Sequence, residues 1–311
     1  MSDSRALLKS YLLLLVCVFI WALNYITRQF LLKEFSPYFL SALSLTVISV
    51  VFLGWAFATK NLVRINRKEV LFLLLSAVIG LIANQLFLYQ GLQRTTATNA
   101  SLIFTLSPLF TAGLAALFLK ERITWRMAAG SLVATAGLSQ ALGLSGFRFH
   151  LGDLLILSGT FTFSCNLIFV RILSRRLHPF IVTVYSFALG SVLLDPFVFA
   201  FSTINWHHSV WIWMLAIASI LIAQGLTNIW WNKGMQTVGA AKASILLNLQ
   251  PLMTMLLDMV IFHQAVTVDK IFGAVLIITG VAIGTWQKEF GKLPKGKHTR
   301  KQRGGARRGQ A

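Results

Sequence analysis

Ten apolar runs, each close to the length that crosses a bilayer, leave this chain of 311 residues few ways to fold. They lie at about 10–30, 37–58, 69–91, 97–119, 126–144, 152–172, 180–202, 210–232, 241–263 and 269–286, and a helix needs about 20 apolar residues to span the hydrocarbon core. Only 12% of the residues are charged, about half of what a soluble domain uses to cover its surface. Lipid is therefore the expected solvent. In lipid every backbone N–H and C=O needs a partner within the protein, so runs of this length predict helices. The expected fold is an all-α integral membrane protein of ten transmembrane helices. The first run begins with Arg5 and Lys9, as a signal peptide would, but has no small-x-small cleavage site and continues into "WALNYITRQF", which predicts an uncleaved first helix. Cys17 and Cys165 both fall inside apolar runs without metal-like spacing.

The formal net charge of +19 follows topology. With the N-terminus placed in the cytoplasm, 23 of the 28 lysines and arginines fall on the inner side: Arg5 and Lys9, the 60–68 loop, Lys120 to Arg126, Arg171 to Arg176, Lys233, Lys242 and the tail from Lys288. Arg28, Lys33, Arg94, Arg148 and Lys270 fall outside. Cytoplasmic loops are the ones enriched in Lys and Arg, so both termini are expected inside a plasma membrane of bacterial type.

Sliding the chain on itself by 143 residues aligns 91–111 with 234–254. The matches are Gly91/Gly234, Gln93/Gln236, Ala97/Ala240, Ala100/Ala243, Ser101/Ser244, Leu106/Leu249, Pro108/Pro251, Leu109/Leu252 and Thr111/Thr254. The register continues through Thr124/Thr267, Gly130/Gly273 and Gly137/Gly280, and a shift of 142 aligns Asn24/Asn166 and Pro37/Pro179. Shared hydrophobicity alone does not select Gly, Gln and Pro. The chain reads as two five-helix repeats, 1–145 and 146–290, followed by a basic tail, 291–311. Five is odd, so the second repeat enters the membrane inverted, an organisation found in secondary transporters.

The segments "WALNYITRQFLLKEFSPYFLSALS", "LYQGLQRTTATNASLIFTLSPLFTAGLAALFLKERITWRMAAGSLVATAGL" and "WNKGMQTVGAAKASILLNLQPLMTMLLDMVIFHQAVTVDKIFGAVLIITGVAI" resemble the EamA-type members of the drug/metabolite transporter superfamily. The resemblance covers about residues 10–286. It implies a ten-helix inverted-repeat carrier that moves small metabolites, often outward. Ser44 stands where the family usually has an arginine, and Gln264 stands in the second repeat opposite Glu121.

Two prolines inside apolar runs single out candidate residues. Ser101, Thr105, Pro108, Ala112 and Ala115 fall at helical spacing on one face of the fourth span, and Ser244, Asn248, Pro251, Met255 and Asp258 do so on the ninth. A proline within a helix frees a carbonyl, which must then bond a neighbour or line a wet cavity. These faces are expected to line the substrate path, against the plainer reading of packing kinks. Asp258 is the candidate proton or cation site. Asp195, before Pro196, reads better as satisfying a helix break. Lys242 either meets an anionic substrate or snorkels to lipid phosphates.

The amides Asn24 and Asn166, and Gln85 and Asn228, form pairs under the repeat. They line the path or bond across helices. Trp231, with Trp21, Tyr25 and Tyr89, would supply aromatic walls; Trp55, Trp206, Trp211, Trp213 and Trp286 suit interfacial anchoring. "GVAIG", Gly280 to Gly284, is a small-xxx-small pair for close packing, internal or at a homodimer contact. Sequence motifs for ATP hydrolysis, proteolysis or dithiol chemistry are missing, so no enzyme activity and no cofactor or metal are expected. The expected partners are a small-molecule substrate, membrane lipid with anionic headgroups at the basic tail, and a coupling proton or cation; nucleic acid is disfavoured. The leading reading is a secondary transporter exporting an amino acid or related compound. The competing one is a membrane scaffold or lipid-handling protein with the same fold.

Overall fold

The computed structural model describes residues 2–60, 62–119, 125–141, 150–227, 230–231, 233–234, 246–247, 249–263, 265 and 267–285. These residues form helices joined by turns, with no strand among them. In chain order the helices are α1 Ser2–Leu31, α2 Pro37–Ala58, α3 Arg67–Leu75, α4 Asn84–Leu92, α5 Ala97–Phe104, α6 Ser107–Leu119, α7 Trp125–Ala141, α8 Leu151–Leu173, α9 Pro179–Phe201, α10 Val210–Ile220, α11 Gln250–Phe262 and α12 Val268–Thr285. A π-helical stretch, Ser76–Ala83, joins α3 to α4, and a second, Leu221–Leu226, extends α10.

Local chemistry sets the helix starts. Ser36 caps α2, accepting from the Phe39 N–H at 3.2 Å, and Pro37 follows where a missing N–H costs nothing. Asn66 and Glu69 form a reciprocal capping box at α3, with bonds of 2.9 and 2.7 Å. Thr96 caps α5 and Ser209 caps α10. Each such cap contributes about 1 kcal/mol.

Among the described residues, six helical stretches are long and apolar enough to cross a membrane: Leu7–Leu31, Pro37–Ala58, Arg67–Leu92, Ala97–Leu119, Leu151–Leu173 and Phe180–Phe201. Shorter apolar helices, Val210–Leu226 and Gln250–Phe262, fall within two of the other expected spans, 210–232 and 241–263. Helices α7 and α12 occupy the remaining intervals. The burial pattern suits lipid: Val50, Leu117, Val192, Trp211 and Val268 face outward, while Ser41, Ser44, Thr160 and Ser164 are buried. In water that arrangement would expose a large apolar surface.

Element boundaries recur along the chain. Arg67 and Val210, Ser107 and Gln250, Leu119 and Phe262, and Trp125 and Val268 are helix ends that stand 143 positions apart. The π-helical stretches follow the same spacing to within a turn.

Helices α7 and α12 pack mainly on each other and run antiparallel. A Cβ placed on Gly137 would stand 2.8 Å from the Gly273 carbonyl oxygen, and one on Gly280 would stand 2.6 Å from that of Gly130. Gly280 thus serves an internal contact. Only glycine admits this backbone approach, which makes small residues favoured helix contacts in lipid.

Helix α1 docks on the second π stretch: Trp21 Nε1 donates to the Ala223 carbonyl at 3.0 Å and Cys17 Sγ reaches the Thr227 carbonyl at 3.7 Å. Helix α8 docks in the corresponding way on the first, where Ser76 donates to Asn166 Oδ1 at 2.6 Å and Asn84 Nδ2 donates to the Gly159 carbonyl at 2.7 Å. On the other side of the bundle α2 packs along α9, and Thr46 donates to Asp195 Oδ2 at 2.6 Å. That places the Asp195 carboxylate in an interhelical bond and not at its own proline break.

Candidate functional site

The two prolines mark chain breaks. Helix α5 ends at Phe104, Thr105 and Leu106 form a turn, and α6 starts at Ser107. Leu106 N–H donates to the Ile103 carbonyl at 3.0 Å, and Phe110 N–H donates to the Leu106 carbonyl at 3.2 Å. The same pair recurs 143 residues on: Leu249 N–H to the Leu246 carbonyl and Met253 N–H to the Leu249 carbonyl, both at 3.0 Å. Pro108 and Pro251 then stand in the first turns of α6 and α11, where a proline needs no N–H and its fixed φ suits the helix. The expected kink is therefore a local break in the helical hydrogen bonding, at which Thr105 and Leu249 keep right-handed helical angles. It divides the predicted face, with Ser101 on one side of the break and Ala112 and Ala115 on the other.

Polar groups near the break turn partly inward onto their own helix. Ser101 donates to the Thr98 carbonyl at 2.8 Å and Thr105 to the Leu102 carbonyl at 2.5 Å. Ser164 of α8 reaches the Ser107 carbonyl at 3.1 Å. The same hydroxyl also reaches the Thr160 carbonyl of its own helix at 2.9 Å, so α8 touches the first residue of α6 beside the break.

The other end of α5 is held from three sides. Ala97 N–H donates to Gln29 Oε1 of α1 at 3.2 Å, Asn99 N–H donates to the Thr96 hydroxyl at 3.1 Å, and Thr98 N–H donates to Asp258 Oδ2 of α11 at 3.3 Å. The Thr98 hydroxyl donates to the same Asp258 oxygen at 2.6 Å. Asp258 is buried, four residues before the end of α11, and its Oδ1 has no partner among the described residues. The first turn of a helix carries unsatisfied N–H groups and a positive partial charge, which attract a carboxylate. The residue singled out for its charge is thus also a bridge between α5 and α11.

The amides divide. Asn166 accepts from Ser76 and lies against Gly80, whose missing Cβ makes room for it; this is a packing bond. Gln85 is buried with its Oε1 unpartnered among the described residues, and Asn24 is buried with no side-chain hydrogen bond there. Trp231 stands 5.1 Å from Trp21 between ring centres, Tyr25 stands 6.4 Å from Phe104, and Phe104 stands 4.9 Å from Phe163. Tyr25 thereby meets the last residue of α5 before the break, while Trp21 pairs with Trp231 beside the second π stretch. Asn228, Lys242, Ser244 and Asn248 lie outside the described residues, as does the tail, and so does the side chain of Pro108. Tyr89, buried, shares a 3.0 Å hydrogen bond with Ser44, and Arg28 stands over its ring.

The sequence reading missed Thr98, Gln29 and Arg28. The signal for Arg28 was present: Trp21, Asn24 and Arg28 follow at helical spacing on one face of α1.

Comparison with known proteins decides the family. The model of the EamA-like transporter family matches residues 8–142 and again residues 150–286. The chain belongs to that family. It is similar to Uncharacterized transporter YyaM of Bacillus subtilis (strain 168), 27% identical over 69% of this chain and 73% of the relative. It is similar also to an uncharacterized transporter of Archaeoglobus fulgidus, 25% identical over 89% of this chain and 97% of that one. The S-adenosylmethionine/S-adenosylhomocysteine transporter of Chlamydia trachomatis serovar L2 is 23% identical over 58% of this chain and 59% of its own length. A solved structure, titled only as the crystal structure of a protein, superposes with a TM-score of 0.61 at 21% identity, over 91% of this chain and 96% of its own. This EamA-family chain is a multi-pass membrane transporter, and its family and relatives point away from enzymes.

Proposed function

We propose that this EamA-family chain is a secondary transporter. It has ten transmembrane helices in two inverted repeats, 1–145 and 146–290, and moves a small metabolite by alternating access. Both termini lie in the cytoplasm of a bacterial cell, and the cargo is an amino acid or related compound carried outward. The observation that carries this reading is the repeated helix break, at Thr105–Leu106 and at Leu249, with the same backbone hydrogen bonds 143 residues apart. Half-helices that meet near the bilayer midplane are where inverted-repeat transporters place their substrate sites.

Three further observations support it. The family model matches twice along the chain. The glycine contacts of α7 and α12 are reciprocal, with Gly130 against Gly280 and Gly137 against Gly273, as a two-fold axis in the membrane plane would make them. The first helix of each repeat docks on the third of the other. Under this topology α5 and α11 are the outward halves of the two broken spans. Asp258 then holds the outer side closed through Thr98 and serves as the proton or cation site. Anionic lipid gathers at the tail, 291–311.

Counterflow in proteoliposomes tests the reading, with a panel of amino acids, amines, nucleosides and S-adenosylmethionine. Saturable exchange of at least one compound is expected. A folded protein that exchanges none of them would favour the scaffold or lipid-handling reading.

A further inference from the structure

One cation, Arg28, lies within the helix packing over a buried aromatic ring. Arg28 lies on α1, four residues beyond Asn24, seven beyond Trp21 and one turn beyond Tyr25, whose ring meets Phe104 beside the break in span four. Its guanidinium carbon stands 5.3 Å from the centre of the Tyr89 ring. Tyr89 is 1% exposed and bonds Ser44, which is 0% exposed. A guanidinium over so buried a ring points into the bundle, whereas a snorkelling arginine would point out to the headgroups.

Among the described residues Arg28 has no acidic partner. Asp258 accepts from Thr98, Asp153 from Thr95 and Asp195 from Thr46, while Glu34 sits 3.4 Å from His208. Arginine stays charged at any working pH; Arg28 is half-buried in the last turn of α1, within the apolar stretch Leu7–Leu31, where a charge is costly unless something answers it. The tyrosine face offsets part of that cost without supplying a counter-charge. Beside the cation are two amides with bonding capacity to spare. Gln85, one turn before Tyr89 on the same helix, has an unpartnered Oε1, and Asn24 has no side-chain bond among the described residues. Tyr25, one turn before Arg28 on the same helix, adds a second buried ring, packed on Phe104; Trp21 and Trp231 pair further along that face.

We propose that Arg28 is the anion-binding group of the substrate site, so that the transported compound carries a carboxylate on a body with apolar surface. The carboxylate takes the guanidinium edge, two parallel N–H···O bonds being the favoured geometry. Asn24 and Gln85 are placed to bond the rest of the polar end. The assignment deepens the transporter reading and rests on it for its role in the cycle.

The test uses the purified full-length chain in detergent, read by melting temperature and tryptophan fluorescence. Two matched pairs of probes are compared: phenylacetate with phenylacetamide, and L-phenylalanine with L-phenylalaninamide. A saturable response to at least one carboxylate is expected, roughly ten- to a hundredfold tighter than to its amide. Arg28→Gln should lose that preference and Arg28→Lys should keep part of it. Equal response to acid and amide in both pairs, including no response to either, overturns the proposal. So does an Arg28→Gln protein that melts like the parent and still prefers the acid. Competition of phosphatidylglycerol with the carboxylates would assign Arg28 to lipid and overturn it as well. If Arg28→Gln does not fold, the parent's acid-to-amide ratio and the Arg28→Lys variant decide. Failed counterflow with the carboxylate preference intact would remove transport alone. Counterflow unchanged by Arg28→Gln would remove Arg28 alone.

Discussion

Thr98 on α5 donates both its hydroxyl and its backbone N–H to one oxygen of Asp258 on α11, at 2.6 and 3.3 Å, across 160 residues of sequence. The two helices are the outward halves of the broken spans in the proposed topology, so the bond joins the repeats where an outward opening would have to separate them. It is also a point of asymmetry. The repeat equivalent of Asp258 is Ala115, which has no polar side chain to offer.

Asp258→Asn should keep the Thr98 bonds, because the amide oxygen still accepts them, while removing the charge. If Asp258 couples transport to a proton or cation, the variant folds and transport in liposomes loses its pH dependence. Asp258→Ala instead strands the Thr98 N–H and should cost about 1–3 kcal/mol, read as a lower melting temperature. An Asp258→Asn protein that melts lower yet keeps the parent's pH profile would reduce Asp258 to a helix cap.

The α7–α12 crossing predicts a matched pair of lesions. Gly137→Leu and Gly280→Leu occupy equivalent positions, and each side chain would enter the backbone of the opposite helix. Each should destabilise by about 1–3 kcal/mol or more, the range for overpacking a tight contact. Gly54→Leu on α2, which meets nothing within 4 Å, should be nearly neutral. Melting temperatures of the three variants check this, and a large effect at Gly54 alone would contradict it.

Pro108 and Pro251 stand in the first turns of α6 and α11, where their fixed φ suits the helix and their missing N–H falls at the break itself. Pro108→Ala and Pro251→Ala should cost only about 0.4–1 kcal/mol each, chiefly through a less restricted unfolded chain. Chemical unfolding in detergent measures this. A gain in stability of several kcal/mol would mean that the prolines hold open an otherwise continuous helix.

These contrasts show what was legible in the residues. Helix starts were, since Ser36-Pro37 and the Asn66/Glu69 pair carry their caps locally. The breaks were half legible: two prolines at one offset marked the place, but the turns lie two to three residues earlier, at Thr105–Leu106 and at Leu249. The π-helical stretch "SAVIGLIA" was not legible, because its apolar pattern reads equally as α-helix and the widening depends on how α8 packs against it. Nor was the partner of Asp258, which a fold alone brings near. Arg28 was half legible: it shares a helical face with Trp21 and Asn24, but three residues from the end of its helix it counts as a loop charge until Tyr89 is seen beneath it.

Asn166 is expected to act as interhelical glue. Asn166→Ala and Ser76→Ala should each cost about 0.6–1.7 kcal/mol, and the double variant little more than either, since the two share one 2.6 Å bond. Transport per folded molecule should be retained. A loss of transport from Asn166→Ala at unchanged melting temperature would return Asn166 to the substrate path.

The inversion of the repeats is tested most directly at Arg64 and His207, exposed positions 143 residues apart that precede α3 and α10. In a chain whose own Cys17 and Cys165 have been replaced, single cysteines at Arg64→Cys and His207→Cys would be labelled in whole cells with a membrane-impermeant maleimide. Inverted repeats predict that His207→Cys labels from outside and Arg64→Cys only after the membrane is opened. Labelling of both from the same side would contradict the inverted architecture and the transport cycle built on it.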